Sequence, residues 1–205
     1  MSTGLVGEMR VSREQMAENR RRILDEAGRL FREKGFGAVS VAEVMNAAGL
    51  THGGFYGHFS SKDDLVAQTL THVFAADASK GSDLSAFVDA YLSPWHRDNA
   101  ADGCPTAGLA ADIRYQAPPA SLAMTEGVRS QIKRISEALP PGLSAKERRR
   151  AAIGMWTSMV GAVILARAVD DPSFSKEVLD ETRTWIEQQN IKDTASRKTS
   201  ARKRQ

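Results

Sequence analysis

The chain has 205 residues, of which 41% are hydrophobic and 26% are charged, and its formal net charge is +3. These values are ordinary for a globular protein, so they exclude a fibrous chain and a wholly disordered one. The one cysteine, Cys104, cannot form an intramolecular disulfide, which fits a reducing compartment. Charged residues interrupt the first apolar stretch, and the most apolar segment, 155–169, is too short for a membrane span. We therefore expect a soluble, cytoplasmic protein.

The N-terminal part of the chain predicts three helices in close succession. Apolar residues at helical spacing predict a first helix over 12–34, which Gly35 ends. The run Ser-Val-Ala-Glu at 40–43 is a capping box and starts a short second helix. Gly49 then allows a tight turn, and Thr51 can cap a third helix that reaches about residue 59. The second and third helices and their turn form a helix-turn-helix pattern.

The rest of the chain is also predicted to be helical. A fourth helix starts at residue 60, and later helices cover 84–93, 106–116, 119–139, 144–169 and 173–189. No alternating strand pattern bounded by turns occurs, so the predicted fold class is all-α. The predicted division is a flexible N-terminus at 1–12, a helix-turn-helix domain at 13–77, a second helical domain at 78–190, and a basic disordered tail at 191–205.

The segment 41–59 has the parts that a DNA-reading helix needs. The second helix of a helix-turn-helix lies in the major groove, where each base pair presents different donors and acceptors. Four apolar residues are expected to pack the two helices together: Val44, Met45, Leu50 and Phe55. The residues left to face outward are Thr51, His52, Gly53, Tyr56 and His58.

Two glycines early in the third predicted helix favour a functional role for it. Gly53 and Gly54 each cost about 1 kcal/mol of helix stability relative to alanine, but they let a backbone approach DNA closely. The alternative is a poorly formed linker helix. Lys62, at a helix start where a cation opposes the helix dipole, is a candidate phosphate contact or an ordinary surface lysine.

These residues together resemble the tetracycline-repressor (TetR) family. The resemblance is carried by the runs RILDEA at 22–27, LFREKGF at 30–36, SVAEV at 40–44, AGLTHGGFYGHF at 48–59 and SKDDL at 61–65. Several motifs agree in order and spacing over about sixty residues, which makes the match specific. Gly57 departs from the family pattern, which commonly has a larger residue there.

The resemblance implies a dimer whose N-terminal helices bind operator DNA and whose helical C-terminal domain binds a small-molecule effector. Carried over residue by residue, it implies phosphate or base contacts from Arg20, Arg21, Ser40, Thr51, His52, Gly53, Tyr56, His58 and Lys62. It also implies a homodimer through the helices near 144–169 and 173–189. Small residues at Gly154, Ser158 and Gly161 would let a partner helix approach there, although packing within one subunit uses similar residues.

A second set of residues is of the kind that lines an effector pocket, with apolar walls and a few polar anchors. The set is Phe87, Tyr91, Trp95, His96, Cys104, Tyr115, Met124 and Trp156. Each is also suited to an ordinary core. Cys104, between Gly103 and Pro105, is either a sensor of oxidants or electrophiles or an inert buried thiol.

The leading hypothesis is a sequence-specific transcriptional regulator, a repressor released from its operator by a small-molecule effector. The alternatives are an activator, or a redox- or electrophile-sensing regulator that uses Cys104. An enzyme would have to use Cys104 with His96, or Asp112 with Arg114, and no catalytic motif supports either pair. The histidines do not have zinc-ligand spacing, so we expect no metal and no cofactor. A third hypothesis is nonspecific nucleic-acid binding through the basic tail.

Overall fold

The structure is a computed structural model that describes residues 4–78 and 83–202, with side chains described over 13–76 and 83–189. Within these ranges the chain is helical and has no strand, which confirms the predicted all-α class. The α-helices are α1 (Gly4–Lys34), α2 (Val41–Ala47), α3 (Lys62–Ala78), α4 (Leu84–Tyr91), α5 (Pro94–Asp98), α6 (Pro105–Leu109), α7 (Pro118–Ala138), α8 (Ala145–Ala168) and α9 (Pro172–Arg202). Three short 3₁₀ helices cover His52–Gly57, Ala100–Asp102 and Ile113–Tyr115.

The described chain divides into two compact units. The first contains the residues up to Asp77 together with Gly108–Gly127, and the second contains Ala78–Ala107 and the chain from Val128 onward. Helix α7 therefore contributes its first half to one unit and its second half to the other.

The first unit is built on buried apolar residues that recur at helical spacing. Ile23, Ala27 and Phe31 on α1 are fully buried, as are Leu65 and Leu70 on α3. Aromatic residues from the intervening segments complete this core: Phe36, Phe55 and Phe59. The helix-turn-helix thus rests on a packed three-helix support rather than on a flexible linker.

Two glycines end the helices of this unit because the chain takes a left-handed conformation there. Gly35 has φ +78°, and its N–H donates to the Phe31 carbonyl at 2.8 Å, which closes α1. Gly49 has φ +68° and follows α2. An L-residue with a side chain is strained at either position, so both predicted turns have the glycine that they require.

The second unit has its own core around α8 and α9. Tyr91, Trp156, Met159, Leu179 and Ile186 are all buried in one cluster. Ser144 caps α8 through a complete capping box with Glu147, as its sequence predicts. By length and composition alone, α8 could span a membrane, since 18 of its residues have a mean hydropathy of 1.5, which the sequence analysis did not expect. Seven of its residues are buried in the second unit.

Several element boundaries differ from the prediction. The third predicted helix is a 3₁₀ helix, the predicted helix 106–116 is two short pieces, and the five-residue α5 was not predicted at all. α1 begins at Gly4, before its predicted start, and the backbone of α9 continues to Arg202. The side chains of 1–12 and 191–205 lie outside the described residues, so the flexible N-terminus and the basic disordered tail stay predictions.

Candidate nucleic-acid interface

The helix-turn-helix begins with a satisfied cap. The Ser40 hydroxyl accepts a hydrogen bond from the Glu43 amide at 3.1 Å, and the Ser40 side chain is exposed. Lys34 pairs with the Glu43 carboxylate at 2.8 Å, and Arg22 donates to the Ala48 carbonyl. These two contacts from α1 fix both ends of α2, and the sequence analysis did not identify either of them.

The 3₁₀ helix His52–Gly57 presents one buried ring and an exposed outer face. Phe55 is buried, and its ring stacks on Phe59 with 5.7 Å between centroids. Tyr56 is 74% exposed, and Thr51, His52 and Gly53 are exposed as well. The segment is therefore anchored by Phe55 and offers its polar residues outward.

The glycines of this segment are not required by the fold of the chain itself. Gly53, Gly54 and Gly57 are not in the left-handed region of φ. A Cβ placed on Gly53 or Gly57 would meet nothing within 4 Å, and one on Gly54 would make an ordinary contact with Met45 at 3.7 Å. Neither the backbone conformation nor packing within the described chain requires glycine at these positions.

Arg20 holds this segment in place from α1. Its guanidinium donates to the His58 carbonyl and to the Gln68 side chain, and it lies 4.5 Å from the centre of the Phe59 ring. Burial, and then the positive charge of Arg20, lower the pKa of His58. His58 is therefore neutral at pH 7, and Arg20 links α1, the 3₁₀ helix and α3.

The other two predicted cations have different surroundings. Arg21 is 61% exposed and pairs with Glu18 at 2.7 Å on the surface of α1. Lys62 is half-buried and donates from Nζ to the Phe36 carbonyl at 2.8 Å. In this structure Lys62 ties the start of α3 to the loop after α1, and Arg21 keeps an accessible guanidinium.

The predicted effector residues are divided between the two units. Phe87, Tyr91, Trp95, His96, Cys104 and Trp156 belong to the second unit, whereas Tyr115 and Met124 belong to the first. Tyr115 is 71% exposed and Trp95 is 60% exposed, so neither is enclosed. Tyr91 brings the buried members together, since its ring lies 5.3 Å from Trp156, 5.7 Å from Phe87 and 4.4 Å from His96.

His96 is the polar centre of this cluster. Its Nδ1 lies 2.7 Å from the Tyr91 carbonyl, and its Nε2 accepts the Cys104 amide N–H at 2.9 Å. These contacts require a neutral ring with the proton on Nδ1. Arg167 donates to the carbonyls of His96 and Arg97 at 2.6 and 2.9 Å, and burial lowers the pKa of its guanidinium. The hydrogen bonds of Arg167 therefore hold α5 against α8.

Cys104 is buried beside this histidine, at 6% exposure. Over the described part of the chain, no three histidine, cysteine, aspartate or glutamate side chains are grouped so that they could hold a metal ion.

An exposed, glycine-bearing second helix on a packed helical support has the architecture of the helix-turn-helix class of DNA-binding proteins. Residues 23–69 match the family described as "Bacterial regulatory proteins, tetR family". The AcrR regulator of Shigella flexneri is 41% identical over 59 residues, which are 29% of this chain and 27% of AcrR. The TtgR regulator of Pseudomonas putida is 25% identical over 201 residues, covering 87% of this chain and 93% of TtgR.

Solved structures agree with this fold over most of the chain. The reduced form of NemR from E. coli superposes with a TM-score of 0.68 at 21% identity, covering 82% of this chain and 94% of NemR. A TetR family regulator from Agrobacterium tumefaciens superposes with a TM-score of 0.65 at 22% identity, covering 84% of this chain and 98% of that regulator. The chain spans only about a quarter of AcrR but nearly all of TtgR. Residues 23–69 thus match the TetR family, and the chain as a whole has the fold of the solved TetR family structure.

Proposed function

We propose that the protein is a cytoplasmic repressor that binds operator DNA as a homodimer and leaves it when a small-molecule effector binds. The observation that carries this proposal is the exposed segment 52–57, whose glycines the fold itself does not need. Double-stranded DNA is the surface that a helix-turn-helix meets at this position. A relative from Mycobacterium tuberculosis, 34% identical over 88 residues, is named a transcriptional repressor, which supports the direction of control.

Roles in DNA binding follow from exposure. Thr51, His52 and Tyr56 project from the segment and are assigned to base edges or nearby phosphates. Arg21, Ser40 and Lys62, all at the surface or near it, are assigned to the phosphate backbone, which positions the protein without reading sequence. Arg20, Gly53 and His58 support the segment or let DNA come close to it.

The DNA-binding role is tested with duplexes from the regions flanking the gene, by fluorescence anisotropy at two or more salt concentrations. Tyr56→Ala is expected to weaken binding to the specific duplex roughly tenfold. Tyr115→Ala is the matched control, because Tyr115 is also a highly exposed tyrosine of the first unit, at 71% against 74%. The control variant should bind like the wild type.

Two results would count against the proposal. One is the absence of a discrete, salt-sensitive complex on every flanking duplex. The other is an equal loss of affinity in both tyrosine variants, which would place the contact elsewhere. Deletion of residues after 190 should cause only a modest, salt-dependent loss, and complete loss of specific binding would instead favour binding through the tail.

The homodimer is supported by apolar side chains that α8 and α9 leave exposed. Ile164 and Leu165 on α8 are 42% and 57% exposed, and Phe174 and Trp185 on α9 are 49% and 48% exposed. On α8, a Cβ placed on Gly154 or Gly161 would meet no atom of the described chain within 4 Å. A second copy that packs on this face would bury these rings and approach the glycines. Met155 and Met159, in contrast, face the core.

Leu165→Glu is expected to convert the dimer to a monomer in sedimentation or light-scattering measurements, because it places a charge in the proposed interface. Leu122→Glu is the matched control, since Leu122 is 63% exposed in the first unit. A dimer that survives Leu165→Glu, or one that both variants disrupt, contradicts the assignment.

The effector is assigned to the aromatic cluster of the second unit. Trp156 is buried beside Tyr91 and Phe87, and its Nε1–H has no hydrogen-bond partner among the described residues. An unpaired buried donor is costly, and a ligand acceptor would relieve that cost. We infer an apolar effector that carries an acceptor. Its binding should quench or shift Trp156 fluorescence and reduce DNA affinity in parallel, and Trp156→Phe should lose the spectral change.

The alternatives have less support. Cys104 is buried and its neighbours are fixed by hydrogen bonds, which favours a structural thiol over a sensor. The relatives named above are transcriptional regulators, which favours a non-enzyme. An activator would bind the same operator and differ only in raising transcription, so a reporter gene placed behind the operator distinguishes the two.

A further inference from the structure

A cleft of about 460 Å³ opens between the end of α7 and the start of α8, in the second unit. It is lined by Lys133, Ser136, Glu137, Ala145, Arg148 and Arg149. The opposite faces of the same helices are firmly packed, since Ile135 on α7, Leu139 directly after it and Ala152 on α8 are buried in the core of the unit. The lining residues therefore stand on a rigid base and lie apart from the aromatic cluster around Trp156.

The lining has a net positive charge, and the excess lies on the α8 wall. Three of its side chains are positive and one is negative, and Lys133 is 3.8 Å from the Glu137 carboxylate. Arg148 and Arg149 have no ion-pair partner among the residues whose side chains are described. Arg148 is half-buried, unlike the other charged residues of the cleft, so its stem is already held against the protein.

Helix stability does not account for these arginines. Lys146 and Arg148 lie in the first turn of α8, where the helix dipole is positive and cations are unfavourable, and Arg149 and Arg150 follow directly. The acid of this turn, Glu147, accepts hydrogen bonds from the Ser144 amide and hydroxyl at 2.8 and 2.6 Å. It completes the helix cap, and the positive charge on the walls of the cleft remains in excess.

We propose that this cleft binds a small organic anion with two neighbouring negative groups, of the organic phosphate class. Guanidinium groups bind phosphate through two parallel hydrogen bonds, and a lysine adds a mobile point charge from the facing wall. Ser136 supplies a hydroxyl that can donate to a third oxygen. The volume lies within the range of small-ligand sites and the charges line a concave surface, which favours a small molecule over a macromolecule.

The test uses inorganic pyrophosphate as the probe and the full-length protein without DNA, so its outcome is independent of operator binding. Titration calorimetry at a constant ionic strength of about 0.15 M suppresses nonspecific attraction. The double variant Arg148→Gln/Arg149→Gln is expected to weaken pyrophosphate binding by roughly tenfold or more, and Lys133→Gln by a smaller factor. The matched control is Lys146→Gln/Arg150→Gln, which removes the same charge from the same turns but outside the cleft.

Saturable binding with one site per chain, lost in the first double variant and kept in the control, supports the proposal. Equal weakening in the two double variants would show general counterion attraction and overturn it, as would the absence of saturable pyrophosphate binding to the wild type. Displacement of the probe by a short duplex of unrelated sequence would identify a polyanion surface instead. Near-ultraviolet circular dichroism verifies that each variant keeps the native fold.

Discussion

Gly53→Ala should separate folding from DNA binding. Gly53 is exposed, its φ is not in the left-handed region, and a Cβ on it meets nothing within 4 Å. Alanine at such a position stabilises a protein by about 0.4–1 kcal/mol, chiefly because it restricts the unfolded chain. For a chain of this length, that free energy raises Tm by about 1–4 °C. The substitution is thus expected to be neutral or stabilising for the fold.

The same Cβ should weaken the complex with DNA. If the backbone at Gly53 approaches the duplex closely, a methyl group there overpacks the interface, which costs about 1–3 kcal/mol in packed protein interiors. That range corresponds to roughly a 5- to 150-fold loss of affinity. Thermal unfolding measures the first effect, and fluorescence anisotropy on the specific duplex measures the second.

The matched control is Gly37→Ala, because a Cβ on Gly37 also meets nothing within 4 Å and its φ is not in the left-handed region. It should gain a similar stability and keep full DNA affinity. A Gly53→Ala protein that is more stable and binds DNA as tightly as the wild type would refute the close approach. A Gly53→Ala protein that is markedly less stable would instead refute the inference that the fold does not need this glycine.

Three other outcomes follow from the structure. Because the pKa of His58 is lowered in the folded state, the unfolded chain binds more protons below about pH 6.5, so the unfolding free energy should fall from pH 7.5 to 5.5. In urea melts, His58→Gln should reduce this fall of the unfolding free energy with pH. The same pH dependence in the variant and the wild type would contradict the prediction. Gly127→Ala should destabilise the protein by about 1–3 kcal/mol, because a Cβ there lies 2.3 Å from the Phe74 ring; Gly37→Ala should not. Because Cys104 is buried, its thiol should react slowly with a thiol reagent until the protein unfolds. The Cys104→Ser protein should still respond to the effector. Fast labelling of Cys104 in the native protein would favour its role as a sensor.

The helix-turn-helix was predictable because its signals are local. The capping box at Ser40, the turn at Gly49 and the buried ring of Phe55 each follow from a few neighbouring residues, and each has the predicted place in the structure. The 3₁₀ form of the third helix was not predicted. With three glycines in six residues, the segment has little preference for the α-helix, and tertiary anchoring through Phe55 decides its geometry.

Long-range side-chain partners could not be predicted in the same way. The hydrogen bond from the Arg20 guanidinium to the His58 carbonyl, 38 residues away, was not predicted, and the expected contact of Arg20 or Arg21 with the DNA backbone stays a prediction. The division of the predicted effector set between two units was not foreseen for a similar reason. Residue type selected Tyr115 and Met124, whereas their membership of the first unit depends on which helix faces they share, and a single sequence does not give that.

The arginines on α1 show how a structural role and a binding role separate along one helix. Arg20 and Arg22 turn inward and hold the carbonyls of His58 and Ala48, the segments on either side of the exposed 3₁₀ helix. Arg21 lies between them in the sequence, but its side chain is 61% exposed and pairs with Glu18 on the surface of α1. The contacts of Arg20 and Arg22 position the 3₁₀ helix His52–Gly57. The exposed Arg21 is the one of the three arginines that we propose contacts phosphate. Loss of Arg21 should therefore reduce the salt dependence of binding, by a log–log slope of about 1, whereas loss of Arg20 should disturb the position of the segment itself.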